Sequence, residues 1–388
     1  MNIKYECSAR IERLQNCLNE NQLDGALYLY PIDVFYFTAT RQNATLWVPR
    51  QGSPILFVRK SYNRACQEAG IDDIRPFPRS AEFSSLFTGP MRIGMTFDVI
   101  PVQQYQYYQK LLPETDFIDI SLLTREIRSL KSPWEIERMR YSGVQLSRVF
   151  ASLVDFLSPG MREIDVAAEF ESRLRRAGGE GLVRMRAFNQ ELFMGLTVAG
   201  PSASASGFFD GAVTGLGLSN AAAHGASASV IQSGQPILLD YTGIFDGYIV
   251  DMTRMAVCGR LDLKLERALD VAKSIQDWIA TQLKPGTICS ELFSEAVDLA
   301  DKAGLAEHFM GPADELAKFV GHGVGLELDE YPVLAQGFDV PLQAGQTIAV
   351  EPKFIFTGLG AVGIENTYLV SESGGEKISV LADDLIVV

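Results

Sequence analysis

Two acidic residues flank a tight-turn signal in the segment PILLDYTGIFDGYIVDMTRMAV. Asp240 precedes the Asp246-Gly247 pair and Asp251 follows it, and such a pair between apolar runs is typical of a β-hairpin. A two-residue turn places residue 240 opposite residue 253, so that residue 251 is its diagonal neighbour on the same face. The sequence therefore predicts that the two carboxylates point to the same side of a sheet.

A second hairpin is predicted in TIAVEPKFIFTGLGAVGIENTYLV. Glu351 and Glu365 flank the turn signal Gly358-Leu359-Gly360. A three-residue loop centred on residue 359 makes these two glutamates same-face diagonal neighbours as well. Four acidic side chains are thus expected from two hairpins.

Each of the four acids stands in an apolar setting, namely LLD, IVD, AVE and GIE. An unpaired buried carboxylate costs several kcal/mol or takes up a proton, so a cationic partner is expected. Arg254 could neutralise one acid but not four, whereas two divalent cations balance four carboxylates. The alternative is that the acids lie on a solvated sheet face.

A neutral imidazole would complete such a metal site, and the chain contains His224, His308 and His322. His322 lies between two glycines in KFVGHGVGLELDEYP, where the backbone can approach other groups closely, and it precedes a strand-like run. We predict that His322 is the nitrogen ligand. His308 lies at a helix end in AEHFMGP and is interpreted as structural.

The elements that would position these residues form two domains. Residues 1–131 alternate helical and strand patterns, with strands predicted at 26–30, 34–38, 45–48 and 54–58, and indicate a small α/β domain for specificity, a lid or dimer contact. Ser132, Pro133 and Glu135 form a capping-box pattern that predicts the start of a helix, and with it a second domain over 132–388.

The second domain contains an internal duplication. LSPGMREIDVAAEFESRLRRAGG begins at Leu157 and LKPGTICSELFSEAVDLADKAGL begins at Leu283, and each follows an amphipathic helical pattern. Two similar halves predict a pseudo-twofold α+β domain with its site between the halves.

Composition excludes several classes of protein. The 388 residues carry a net charge of −14, which disfavours a nucleic-acid partner. The sequence contains no run of about 18 apolar residues and no signal-peptide pattern, so we expect neither a membrane span nor export. Five scattered cysteines, an odd number, favour a reducing cytoplasm over a disulfide scaffold.

The order Asp240, Asp251, His322, Glu351, Glu365, within DYTG, VDMTR, GHGVGLELDEYP, VEPKF and GIENTY, resembles the pita-bread metallopeptidases. That family includes methionine aminopeptidase, aminopeptidase P, prolidase and the metal-free creatinase. The resemblance covers 132–388, and residues 1–131 resemble the creatinase-type N-terminal domain of the proline-specific branch. It implies a homodimer that hydrolyses Xaa-Pro bonds of short peptides.

The resemblance also implies roles for individual residues. The five residues would hold two divalent ions, Glu351 would in addition act as general acid and base, and His224 in SNAAAHGAS would lie on the substrate side. Family members use manganese, cobalt, zinc or iron. A ligand set rich in oxygen with one nitrogen favours Mn²⁺ over zinc.

Two positions depart from the proline-specific pattern. Asp329 stands where these enzymes carry a second histidine near the scissile carbonyl, and Gly363 stands where they usually carry an arginine. An ionised Asp329 beside a developing oxyanion would oppose catalysis. Alternatively it pairs with a cationic substrate group, donates a hydrogen bond when protonated, or points to solvent.

The departures leave two other functions open: metal-dependent hydrolysis or lyase chemistry on a non-peptide small molecule, and a catalytically silent peptide-binding module.

Overall fold

The computed structural model describes residues 2–187, 191–312 and 315–388. These residues divide into two compact units. The first unit runs up to Arg128 and takes in a short segment that begins at Arg186, and the second holds the remainder. The domain boundary predicted between residues 131 and 132 stays a prediction. Among the described residues, no helix combines the length and the apolar character that a membrane span requires.

The first unit is a mixed sheet with helices. Its elements are α1 Ile3–Glu20, β1 Gly25–Tyr28, α2 Pro31–Thr38, β2 Ala44–Pro49, β3 Ile55–Val58, α3 Tyr62–Glu68, β4 Ile74–Pro76, α4 Ser80–Ser84, β5 Met91–Met95, α5 Val102–Leu111, β6 Thr115–Asp119 and α6 Ser121–Ser129. The sheet order is β4-β3-β2-β1-β5-β6, with β1 antiparallel to β2 and parallel to β5. An aromatic core that includes Phe57, Phe83 and Tyr108 packs on this sheet.

The strand predicted at 34–38 is wrong, because α2 occupies these residues. Pro31 lies in the first turn of α2, where its missing N–H costs nothing. Asp33 is fully buried and pairs with Arg128 and Arg186, each at 2.9 Å. A helix that is buried on nearly every side shows no polar face, so its apolar run resembles a buried strand.

The second unit contains the predicted acids. Its elements are α7 Pro133–Ala151, α8 Glu163–Arg176, β7 Gly195–Ala199, β8 Ile237–Phe245, β9 Tyr248–Val257, α9 Leu263–Gln282, α10 Cys289–Lys302, β10 Phe319–Gly323, β11 Glu330–Ala335, β12 Thr347–Val350, β13 Lys353–Phe356, β14 Gly360–Gly363, β15 Asn366–Ser371, β16 Gly374–Lys377 and β17 Ile386–Val387, with 3₁₀ turns at Ser152–Asp155, Gly200–Ser204 and Ala306–His308. Its sheets have the orders β17-β9-β8-β7, β11-β10-β12-β15-β16 and β13-β14.

Each half of this unit packs a pair of helices on a sheet. Helix α7 lies on β8 and β9 beside α8, and α9 lies on β13, β14 and β16 beside α10. The capping box at Ser132 and Glu135 starts α7 as predicted, with the Ser132 hydroxyl accepting from the Glu135 N–H at 3.2 Å. The predicted mixed α/β class is confirmed, and the repeated arrangement agrees with the duplication in the sequence.

Candidate metal centre

The first hairpin has the predicted register. Phe245 pairs with Tyr248 around the turn, and Asp240 lies opposite Thr253. Asp246 and Gly247 both have positive φ, 50° and 82°, as a two-residue turn that matches the strand twist requires. Asp240 and Asp251 consequently lie on the same face of the hairpin.

The register predicted for the second hairpin is wrong by one residue. Phe356 pairs with Gly360, so the loop is centred on residue 358, where Gly358 has a φ of 77°. Residue 360 lies in the strand and has no room for a side chain, because a Cβ there would lie 2.9 Å from the Gly200 oxygen. The register continues through Val350 and Asn366, which places Glu351 and Glu365 directly opposite rather than diagonal.

The five side chains that were predicted as metal ligands lie close together in the structure. They form two overlapping groups. Asp251, His322 and Glu365 offer ligand atoms that all lie within 4.8 Å of one another. Asp240, Glu351 and Glu365 do the same. Apart from Asp240, which is partly exposed, these side chains are buried. The acids therefore do not lie on a solvated sheet face.

His322 is oriented by its Nδ1 atom, which lies 3.0 Å from the Gly323 carbonyl oxygen. A proton on Nδ1 satisfies that carbonyl and leaves Nε2 as the free acceptor. Nε2 faces Glu351 Oε1 at 3.5 Å and Glu365 Oε1 at 3.9 Å. Burial alone would lower the pKa of His322, but the carboxylates of Asp329, Glu351 and Asp251 outweigh burial and raise it.

Lys353 also lies in the centre, which the sequence reasoning missed. Its Nζ atom is 2.8 Å from Asp240 Oδ2, 2.6 Å from Glu351 Oε2 and 3.4 Å from Glu365 Oε2. The sequence did contain a signal, because residues two apart in an extended segment face the same side and Lys353 follows Glu351 by two. This lysine provides the cationic partner that was expected near the acids.

The buried acids hold their protons more tightly than ordinary carboxyl groups. Burial, reinforced by the nearby charge of Asp240, raises the pKa of Asp251 to about 7. Burial and the charge of Asp251 also raise the pKa of Glu365 well above its usual value. Burial opposes the charge of Lys353, but three carboxylates outweigh it and raise the pKa of Lys353. One ammonium therefore neutralises the group only in part.

Arg254 does not neutralise any of these four acids. Its guanidinium pairs with Asp383 at 3.0 Å and donates to the backbone oxygens of Thr253 and Glu365. The fully buried Arg254 thus ties β9 to the segment that carries Glu365. Its role is to position the backbone behind the centre.

Asp329 lies on the opposite side of the His322 ring from the other acids. Its Oδ1 atom is 3.2 Å from His322 Nδ1, and its side chain is 38% exposed. One carboxylate oxygen of Asp329 therefore contacts the imidazole, while the side chain keeps partial exposure to solvent. A carboxylate beside the non-ligating nitrogen is the arrangement that orients histidine ligands of metals.

The centre opens into a cleft of about 800 Å³, open solvent included. His224 lines this cleft, with its ring stacked on Phe193 at 4.9 Å between centroids and edge-on to Phe208. Neither ring nitrogen of His224 has a hydrogen-bond partner among the described residues. His224 is thus placed beside whatever occupies the cleft. His308 instead lies with its Nδ1 3.0 Å from the Ile355 oxygen, as a structural residue would.

Comparison with known proteins identifies the family. The model of "Metallopeptidase family M24" matches residues 137–372, and that of "Creatinase/Prolidase N-terminal domain" matches residues 10–130. The chain belongs to metallopeptidase family M24. This confirms the resemblance that the sequence motifs indicated, and it makes the protein a metallohydrolase by family.

Relatives of this M24 chain match it along nearly its whole length. A Xaa-Pro dipeptidase of Pyrococcus furiosus is 24% identical over 97% of this chain and 99% of the relative, and one of Lactobacillus helveticus is 24% identical over 97% and 98%. The prolidase structure from Pyrococcus horikoshii superposes with a TM-score of 0.81 at 22% identity, covering 97% of this chain and 100% of the other. The structural likeness shows a shared fold.

The family implies divalent metal ions, and the donor set fits one such ion clearly. Glu365 Oε1 is buried and has no hydrogen-bond partner among the described residues. This oxygen faces His322 Nε2 and Asp251, so a divalent ion held by the three residues would satisfy it. Two ligands at about 2.1 Å from one ion lie roughly 3 to 4.2 Å apart, a range that includes the 3.9 Å between Nε2 and Oε1. The group with Asp240 and Glu351 already holds an ammonium.

Proposed function

We propose that this M24 chain is a metal-dependent peptidase that hydrolyses Xaa-Pro bonds in short peptides. The observation that carries the proposal is the buried group of Asp251, His322 and Glu365 with an unsatisfied acceptor, which opens into the cleft. The full-length similarity to Xaa-Pro dipeptidases supports the substrate class. The names of the same relatives support a dipeptide as the substrate, with release of its N-terminal amino acid.

In this proposal, Asp251, His322 and Glu365 hold a divalent ion. When bound, the ion supplies Lewis-acid polarisation of the scissile carbonyl and lowers the pKa of a water molecule. Glu351 acts as general acid and base, because its Oε1 is directed at the same group while Lys353 binds its Oε2. A proton that Glu351 takes from water passes to the proline nitrogen as the amide breaks.

The cleft suits a small peptide with a proline ring. Its walls include the apolar side chains Leu192, Phe193 and Phe209, which would pack against the ring and exclude water. His224 lies on this wall, where an unpartnered ring nitrogen can hydrogen-bond the peptide. Burial lowers the pKa of His224, which favours the neutral ring that can donate or accept.

The remaining details are proposals of the same kind. Mn²⁺ is the proposed metal, because carboxylate oxygens outnumber the single imidazole nitrogen; Co²⁺, Zn²⁺ and Fe²⁺ are alternatives. We also propose a homodimer with the aromatic-rich first unit as the contact, which light scattering after size exclusion tests. A cytoplasmic location is proposed from the scattered cysteines, since a reducing compartment keeps them as thiols.

A substrate panel tests the proposal directly. Purified protein is stripped with a chelator, reloaded with Mn²⁺ and assayed on Xaa-Pro dipeptides, Xaa-Pro tripeptides and matched Xaa-Ala peptides. Turnover of the proline peptides that disappears with chelator and returns with metal supports the proposal. Undiminished hydrolysis without metal, or no turnover of any proline peptide, refutes it.

The non-peptide alternative rests on Asp329 and Gly363, and the similarity to dipeptidases does not favour it. If it were right, the loaded protein would bind metal but would leave the whole peptide panel intact. A silent binding module would bind proline peptides and release no amino acid even when it is fully loaded. The same panel, combined with peptide binding by calorimetry, therefore separates the three functions.

A further inference from the structure

Lys353 places a positive charge inside one of the two groups of candidate metal ligands. Its Nζ atom contacts Asp240 Oδ2, Glu351 Oε2 and Glu365 Oε2 at 2.8, 2.6 and 3.4 Å, and the residue is 2% exposed. Such contacts are charge-assisted hydrogen bonds, about twice as strong as neutral ones. The ammonium therefore occupies the space that these three carboxylates enclose.

A divalent ion in this group would need the same space. Carboxylate oxygens bind Mn²⁺ or similar ions at about 2.0 to 2.6 Å, so an ion bound to these oxygens would overlap Nζ. The ammonium would have to leave before the ion could enter. Its departure would be costly, because Lys353 lies in the buried strand β13, where the rest of the side chain is held.

Gly363 is what allows the lysine to lie here. Lys353 and Gly363 are directly opposite in β13 and β14. A Cβ at residue 363 would lie 2.5 Å from Lys353 Cγ and 2.8 Å from the Pro352 oxygen, so any larger residue would displace the lysine stem. The position at which the proline-specific pattern has an arginine thus holds the residue that makes room for a cation on the neighbouring strand.

Among the residues that the structure describes, the other group has no lysine or arginine partner apart from the contact of Lys353 with Glu365 Oε2. Asp251, His322 and Glu365 face one another, and Glu365 Oε1 lacks a hydrogen-bond partner within the described part of the chain. One ammonium and one divalent ion carry three positive charges against four carboxylates. A second divalent ion would add its charge directly beside the Lys353 ammonium, among the same three carboxylates, and like charges that close in a buried site repel each other.

We propose that the Lys353 ammonium replaces one of the two metal ions expected from the family, and that the centre binds a single divalent ion at Asp251, His322 and Glu365. This inference goes beyond the proposed function, because it concerns the number of ions and not the substrate. Lys353 is then part of the centre itself, a fixed cation that takes over the charge balance of the second ion.

Metal stoichiometry tests the inference without any substrate. Chelator-stripped protein is equilibrated with saturating Mn²⁺ and desalted, and bound manganese is measured by elemental analysis, with calorimetry and electron paramagnetic resonance on the same samples. The wild type should bind one Mn²⁺ per chain and give the spectrum of an isolated ion. Lys353→Met, which keeps the length of the side chain and removes its charge, should bind a second ion and give the spectrum of a spin-coupled pair.

Lys318→Met is the matched control, since Lys318 is exposed in the same unit. It should keep the stoichiometry of the wild type. Two Mn²⁺ per wild-type chain, or none, would overturn the inference, and so would one Mn²⁺ in Lys353→Met with an isolated-ion spectrum. If Lys353→Met does not fold, the wild-type stoichiometry and spectrum decide alone. Two Mn²⁺ per chain would overturn this inference and leave the proposed function standing, and a failure of Xaa-Pro hydrolysis would leave these measurements unaffected. The failures of the two proposals can therefore be told apart.

Discussion

Glu365 is the residue that both groups of candidate ligands share. Its Oε2 accepts from the Thr253 hydroxyl at 2.9 Å and faces Lys353, whereas its Oε1 faces His322 and has no partner among the described residues. One oxygen of this carboxylate thereby faces the Lys353 ammonium, and the other faces the proposed metal site at His322. Loss of the charge on Glu365 should weaken the binding of both the Lys353 ammonium and the proposed metal ion. No other single change in the centre would do so.

We therefore expect Glu365→Gln to bind Mn²⁺ at least about 100-fold more weakly than the wild type, because an amide oxygen is an uncharged ligand and the amide N–H₂ repels cations. Isothermal titration calorimetry on chelator-stripped protein measures the effect. Thr253→Val is the control: it removes the hydrogen bond to Oε2 but leaves the carboxylate, so metal affinity should fall much less. Equal losses in the two variants would show that the carboxylate is not a ligand.

Two roles of Asp329 can be distinguished by experiment: its carboxylate orients the His322 ring, or its charge opposes the reaction. If it orients the ring through the 3.2 Å contact with Nδ1, Asp329→Asn should weaken Mn²⁺ binding by about 10- to 100-fold. If its charge acts on the reacting carbonyl, the same variant should raise kcat and leave metal affinity unchanged. We expect the first outcome, because Asp329 lies on the side of the ring away from Glu351 and Glu365. Calorimetry and kcat at saturating Mn²⁺, measured on the same preparations, distinguish the two roles.

At the scale of elements, the hairpins show what sequence reasoning can and cannot locate. The Asp246-Gly247 turn determines its own register, since both residues adopt the positive φ that the turn needs. The second turn contains two glycines, and local patterns cannot tell which one turns the chain. Gly360 instead packs against Gly200, a contact between residues distant in sequence that a single sequence does not display.

The same limit applies to the residues in the centre. The four acids were found because charges in apolar runs are conspicuous, and His322 because two glycines flank it. Lys353 was missed because the pattern of a lysine after Pro352 is typical of an exposed residue. The helix α2 was missed for the reverse reason: burial on nearly every side within the first unit removed the polar face that identifies helices. Tertiary packing, which a single sequence does not display, decides both cases.

The pairing of Gly363 with Lys353 leads to a prediction about β13 and β14. Gly363→Ala would put a methyl group 2.5 Å from Lys353 Cγ and should destabilise the protein by roughly 1 to 3 kcal/mol, as overpacking usually does. Urea unfolding followed by circular dichroism measures this change. Lys353→Ala should also destabilise the protein, because it leaves buried carboxylates without their ammonium. The double variant should nevertheless lose less stability than the sum of the two single losses, because the clash with Cγ disappears while the one with the Pro352 oxygen remains. Strict additivity of the two changes would exclude the coupling.

At the scale of the whole molecule, the centre is a destabilising feature that a metal ion relieves. The chain carries a net charge of −14, and the centre concentrates four of its carboxylates around one lysine, which neutralises them only in part. Ions that bind the folded chain and not the unfolded one stabilise it by about 2.7 kcal/mol at a concentration 100 times the dissociation constant. Stability should therefore depend on both metal and pH.

The sign of the pH dependence follows from Asp251, whose pKa of about 7 in the folded chain exceeds the ordinary value of 3.8. Between these two values the folded state holds a proton that the unfolded state releases, so this group makes the metal-free protein less stable as pH rises from about 4 to 7. The raised pKa of His322 acts in the same direction at higher pH. We expect the melting temperature of the metal-free protein to fall over this pH range, and to fall less steeply in Asp251→Asn. Mn²⁺ should raise the melting temperature most at the alkaline end of the range, where the ligands are deprotonated. Differential scanning calorimetry with and without Mn²⁺ measures both trends. A metal-free melting profile of Asp251→Asn parallel to that of the wild type would show that the buried carboxylate does not titrate in this range.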